Sequence, residues 1–117
     1  MYGHGRRRTR GRVERFQVPA LLLLLRERPT HGYELIERLP ELTGDERVDV
    51  GNLYRVLRGL EEEGYVRSEW NAELPGPAKR TYWLTDDGRA LLARWADGLR
   101  ATRDRIDSFL QRFDEGR

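Results

Sequence analysis

The sequence predicts a mainly α-helical chain with one small β-hairpin: three helices, the hairpin, then a long terminal helix. Three observations carry that expectation. Before Gly64, apolar residues recur at helical spacing in three segments broken by Pro29-Thr30 and by the Pro40 to Gly44 stretch. After Gly64 the period switches from helical to alternating in 65–71, and a second short strand-like run, 80–84, follows across Pro75-Gly76-Pro77. From Thr85 onward, apolar residues return at alternating spacings of three and four.

The first helix is expected over 17–28, with Pro19 tolerated in its first turn. Ala20 to Leu25 is apolar on all sides, which places this helix at the centre of the core. A second helix, His31 to Leu39, is expected behind a Thr30 cap, with Leu35, Ile36 and Leu39 on one face. Pro40 and Gly44 then mark a turn. The third helix, 49–63, has Asp49 as its cap and Val48 as a hydrophobic staple onto Leu53. Its core stripe is Val50, Leu53, Leu57 and Leu60, and Gly64 is its left-handed terminator.

In the hairpin, 65–71 puts Val66 and Trp70 on one face and Arg67 and Glu69 on the other, while 80–84 forms the second strand. The Pro-Gly-Pro link between them predicts a protruding tip, and Trp70 and Trp83 are expected as packing residues of the hairpin. Thr85 caps the last helix, 86–113, with Asp86 and Asp87 in its first turn. At about 1.5 Å per residue that helix spans roughly 42 Å, longer than the body of so small a domain. Leu92, Trp95, Leu99, Thr102, Ile106, Phe109 and Phe113 form a heptad seam along it, broken only by Thr102.

Composition narrows the function classes. A chain of 117 residues has room for one modest core. With 36% charged residues and a mean hydropathy of −0.81, it is expected to be soluble and cytoplasmic, with no membrane partner. Ala20 to Leu25 is too short to cross a bilayer, and Arg26, Glu27 and Arg28 follow it where a signal peptide would have a cleavage site. The absence of cysteine excludes disulfides and thiolate metal sites. No nucleophile–base pair, phosphate-cradling glycine loop or catalytic carboxylate pair is present, so neither an enzyme nor a cofactor is expected. His31 is read as a local hydrogen-bonding residue, and Glu61 to Glu63 as a solvated helix end.

The charge is uneven. Residues 1–15 hold six arginines against one glutamate, +5, while the rest of the chain sums to −3. This is expected to be a disordered basic arm, with Arg6, Arg7 and Arg8 as candidates for contact with a polyanion. A solvated tail with no partner is the alternative.

The second and third helices read together as a helix-turn-helix. With the apolar stripe of the third helix facing inward, Asn52, Tyr54, Arg55 and Arg58 face elsewhere. Asn reads adenine edges, Arg grips guanine or phosphate, and Tyr donates to phosphate. A solvated polar face explains that helix equally well on its own. Lys79 and Arg80, at the base of the hairpin loop, add a second basic element, and the arm adds a third. The expected fold is a winged helix-turn-helix, with 16–85 as the DNA-binding domain and 86–117 as a dimerisation helix.

The chain resembles the PadR-type transcriptional regulators. The resemblance rests on Leu21 to Leu25, His31-Gly-Tyr-Glu-Leu-Ile36, Gly51-Asn-Leu-Tyr-Arg55 and Leu60-Glu-Glu-Glu-Gly-Tyr-Val66. It continues through Ser68-Glu-Trp70, Lys79-Arg-Thr-Tyr-Trp-Leu-Thr85 and Gly88, covering roughly 17–95. It implies a homodimer built through the last helix and repression of a nearby promoter. Tyr54 matches the tyrosine of the family's recognition-helix motif, flanked by Asn52 and Arg55, and Tyr33 joins the candidate DNA-binding residues. Asn52 departs from the small hydroxyl residue common at its position, which leaves its base preference open. The single terminal helix resembles the small branch of the family.

That helix needs a partner on physical grounds. Leaving Ile106, Phe109, Leu110 and Phe113 in water forgoes about 1.5–3 kcal/mol per large side chain that burial would recover. Leu92, Trp95 and Leu99 belong to the same expected dimer seam. A twofold dimer matches a palindromic operator in double-stranded DNA. In small members of the family, flat hydrophobic compounds bind between tryptophans on this helix. Trp95 and Leu99 are therefore candidate contacts for a hydrophobic or aromatic effector, with plain packing as the alternative for Trp95. The rival functions are a protein-interaction module on a winged-helix scaffold and nonspecific nucleic-acid binding through the arginine arm.

Overall fold

The structure is a computed structural model of the chain and describes residues 16–44, 47–71 and 79–116. The expected basic arm, including Arg6, Arg7 and Arg8, and the Pro-Gly-Pro tip lie outside the described residues. Residues 16–27 are helical (α1). They are followed by β1 (Thr30–His31), α2 (Gly32–Thr43), α3 (Val50–Glu62), β2 (Val66–Asn71), β3 (Lys79–Leu84) and α4 (Asp86–Glu115).

The leucine-rich run of α1 forms the centre, as its all-round apolarity requires. Leu21, Leu22 and Leu24 are fully buried, against Leu35 and Leu39 of α2, Leu53, Leu57 and Leu60 of α3, Val66, Tyr82 and Leu84 of the hairpin, and Leu92 of α4. Leu91 and Trp95 pack on the same cluster. The start of α4 is thus part of the body, whereas among the described residues nothing covers its distal half.

Three corrections concern α2 and α3. The cap of α2 is His31, whose Nδ1 accepts from the Glu34 N–H at 3.4 Å. Thr30, the expected cap, is one residue too early: it is buried in β1, and its hydroxyl donates to Glu34. Pro40 does not end α2. The helix runs through it to Thr43 and stops at left-handed Gly44 (φ 76°), whose N–H donates to the Pro40 carbonyl at 2.9 Å. The proline removes one helical N–H, but the extra turn sets Leu42 against the core. Val50, expected in the core, is 45% exposed. The first residue of α3 lies beyond the edge of the core, and Val48 supplies the apolar contact there. The expected Asp49 cap is present, Oδ1 accepting from the Asn52 N–H at 3.0 Å. Gly64 (φ 85°) reverses the chain after α3 in the left-handed region that favours glycine.

The hairpin is antiparallel, Val66 opposite Leu84 and Asn71 opposite Lys79. β1 adds a third strand on the other edge of β3, Thr30 opposite Tyr82, giving the order β1-β3-β2. Two residues are too few to show alternation, so β1 left no periodic signal in the sequence. Val66 and Trp70 share a face by parity, but only Val66 reaches the core. Trp70 is 65% exposed because its end of the strand has run past the helices. The Arg80 guanidinium covers its ring at 5.4 Å, and Arg67 covers Trp83 at 4.7 Å.

Candidate nucleic-acid interface

α3 is held by its apolar stripe, which leaves Tyr54, Arg55 and Arg58 exposed on its outer side. Among the described residues neither arginine has an ion-pair partner. Two free guanidiniums one turn apart on a helix form a positive ridge suited to a polyanion.

Tyr54 reaches back over the start of α2. A Cβ on Gly32 would stand 2.6 Å from its Oη, 2.7 Å from Cε1 and 2.9 Å from Cζ. Only a residue without a side chain permits that approach, so Gly32 leaves the room in which the Tyr54 ring lies. A cleft of about 650 Å³ opens beside this contact, lined by His31, Gly32, Tyr33, Tyr54, Trp70, Lys79, Arg80 and Tyr82. It brings together the start of α2, the outer side of α3 and the base of the hairpin. Tyr33 is exposed at its rim. A hydrogen bond to Glu37, and then the charge of that carboxylate, raise its pKa, so the phenol stays a protonated donor.

Two of the expected contact residues are engaged within the protein. The Asn52 amide, half-buried, donates through Nδ2 to Gln17 Oε1 of α1 at 2.8 Å, which turns it toward α1 and away from the ridge. Arg80 Nε donates to Ser68 Oγ at 2.6 Å, and its guanidinium lies 3.6 Å from Glu61. Ser68 in turn donates to Glu61 at 2.7 Å. Arg80 therefore ties the hairpin to the end of α3, and Glu61 is a strut of that tie, contrary to its expected place on a solvated helix end. Lys79 is exposed and has no ion-pair partner among the described residues. Gly32, Gln17 and Tyr82 were not singled out from the sequence, although Gly32 and Tyr82 lie within the quoted motifs.

The exposed seam lies elsewhere. Ile106 is 53% and Phe109 68% exposed, with Leu110 and Phe113 beside them. Nearer the body, Leu92, Trp95 and Leu99 line a groove of about 250 Å³ with Phe16, Ala20 and Leu23 of α1. Among the described residues there is no His, Cys, Asp or Glu cluster able to hold a metal ion. None of their helices is long and apolar enough to cross a membrane.

A helix pair followed by a hairpin, docked on a three-stranded sheet, with a free cationic ridge on the second helix of the pair, defines a winged helix-turn-helix protein. The profile of the PadR-like transcriptional regulators matches residues 21–94. The chain belongs to that family. A Mycobacterium tuberculosis protein named as a probable transcriptional regulator is 37% identical over 86 residues, which make up 72% of this chain and 46% of that protein. The chain thus spans about half the length of this relative. A PadR-family regulator from Eggerthella lenta superposes with a TM-score of 0.74 at 26% identity, covering 93% of this chain and 95% of the other. Bacillus subtilis PadR, solved with operator DNA, gives a TM-score of 0.59 at 28% identity over 68% of this chain and 46% of the other.

Proposed function

We propose that the protein is a sequence-specific DNA-binding repressor that acts as a homodimer and is released by a small hydrophobic or aromatic effector. The observation that carries the DNA reading is the unpaired Arg55 and Arg58 beside exposed Tyr54 on one side of α3. Charged side chains held without partners on a rigid helix favour an external anion. That the Bacillus subtilis relative was solved with operator DNA supports the same reading.

In this reading residues 16–85 hold the DNA-reading elements. The distal half of 86–117 pairs with a second copy, covering Ile106, Phe109, Leu110 and Phe113. Leu92, Trp95 and Leu99 continue that seam toward the body, where their groove against α1 suits a flat apolar ligand. Arg6, Arg7 and Arg8 add nonspecific affinity from the arm, and Lys79 meets the backbone from the wing.

The test is selection of bound duplexes from genomic DNA, followed by salt titration of the recovered site against random duplex. Specific reading predicts a preference of about 10³-fold or more. A steep salt dependence with no preference would instead assign binding to the arginine arm.

A further inference from the structure

The cleft beside α2 contains a donor without an acceptor. Tyr82 is 6% exposed, fixed in β3 between Thr30 of β1 and Ser68 of β2, and it lines the cleft. Among the described residues its hydroxyl has no hydrogen-bond partner. Burial, partly offset by the nearby Arg80, raises its pKa, so at neutral pH the phenol carries its proton. The ring is buried, but the hydroxyl oxygen keeps some exposure to the cleft, since among the described residues the buried side-chain polar atom without a partner is Arg38 Nη1. A phenylalanine would fill the same space and lack only the donor.

The groups around Tyr82 suit one anion. α2 begins at the cleft, and the Gly32 and Tyr33 N–H groups lie in its first turn, the Glu34 N–H being already capped by His31. A helix start attracts negative charge, most strongly a phosphate. Tyr54 brings a second hydroxyl, which lies over Gly32, and Lys79 brings an ammonium. The carboxylates nearby are engaged: Glu61 by Ser68 and Arg80, Glu37 by Tyr33, Glu34 by Thr30 and Arg28. The cleft therefore holds donors in excess of acceptors.

We propose that this cleft seats one backbone phosphate of bound DNA, with Tyr82 donating to a phosphate oxygen beside Tyr54, Lys79 and the first-turn N–H groups of α2. The inference rests on the DNA-binding reading above and adds a residue and a role to it. A phosphate carries no base identity, so the seat holds every duplex alike while Arg55 and Arg58 discriminate.

The test is Tyr82→Phe in the full chain, compared with wild type on the selected operator and on random duplex, together with thermal unfolding of the free protein. Loss of one hydrogen bond to a charged oxygen weakens binding by about tenfold. The expected result is that fall on both duplexes, an unchanged ratio between them, and a melting temperature close to wild type. Unchanged affinity overturns the seat. So does a lowered melting temperature, which would mean that the hydroxyl is bonded within the fold, and so does a loss confined to the operator. Lys79→Gln is expected to lower the salt slope by about one; an unchanged slope removes Lys79 from the seat. Inorganic phosphate distinguishes a free ion from DNA. If it stabilises wild type but not Tyr82→Phe while both bind duplex equally, the cleft serves a free anion and the proposal fails. If wild type binds no duplex at all, the DNA reading itself falls, an outcome distinct from binding that Tyr82→Phe leaves untouched.

Discussion

Two glycines of α4 give opposite expected outcomes when replaced by alanine. At Gly88 an added Cβ would stand 2.1 Å from the Tyr65 carbonyl oxygen and 2.5 Å from Leu84 Cδ1. The carbonyl cannot yield easily, because it accepts from the Thr85 N–H at 3.1 Å. Thr85 in turn donates to the Gly64 carbonyl at 2.7 Å and caps α4 by accepting from the Gly88 N–H at 3.0 Å. Relief requires the start of α4 to lift from the hairpin. Overpacking costs about 1–3 kcal/mol and a weakened cap about 1 kcal/mol, offset by about 1 kcal/mol of helix propensity. The net expectation for Gly88→Ala is a loss of about 1–3 kcal/mol, or roughly 5–15 °C in a domain of this size. At Gly98, by contrast, an added Cβ meets nothing within 4 Å, so Gly98→Ala should gain about 0.5–1 kcal/mol. Both are measured by thermal and urea unfolding in an Ile106→Asp background, which removes any linkage to the proposed dimerisation. A Gly88→Ala protein within about 0.5 kcal/mol of its parent, a difference typical of a harmless surface change, would refute the close approach of α4 to Tyr65.

Three further outcomes are expected. Gly32→Ala should weaken operator binding while barely changing stability, because the exposed Tyr54 ring can swing aside; in a Tyr54→Ala background the same change should be neutral, and equal effects in both backgrounds would deny the contact. Ile106→Asp should give monomers by sedimentation, since it puts a charge into the exposed seam, and persistent dimers would move the interface elsewhere. The Glu34 carboxyl is held below its ordinary value of 4.5, first by the Thr30 hydroxyl and then by Arg28. Its contribution to stability is therefore complete above that value and lost as pH falls through the lowered one. Glu34→Gln should flatten the acid limb of the stability profile, and an unaltered limb would count against the pair.

The helices and the hairpin were legible because each segment buries one face, and burial writes a period into the sequence. α1 was plain from Leu21 to Leu25, and the Asp49 and Thr85 caps from their position before apolar runs. The misread ends were those set by tertiary contact: Pro40 stays helical while Leu42, half-buried, packs against the core, and Val50 is exposed because α3 overhangs the core. At the interface, residue type showed which side chains could meet DNA but not which are engaged at home. Asn52 binds Gln17, 35 residues away in sequence, and Arg80 binds Ser68 and Glu61 across the hairpin. No local pattern encodes such partners. Tyr82 was hidden for the opposite reason, since an alternating strand gives every inward tyrosine the look of core.

The central claim is that the outer side of α3 reads DNA. Its most direct test is the affinity of Arg55→Ala for the selected operator and for random duplex at fixed salt, with dimerisation checked in parallel. The account predicts a loss of about 1–3 kcal/mol on the operator, a much smaller loss on random duplex, and an intact dimer. Operator affinity equal to wild type would contradict it.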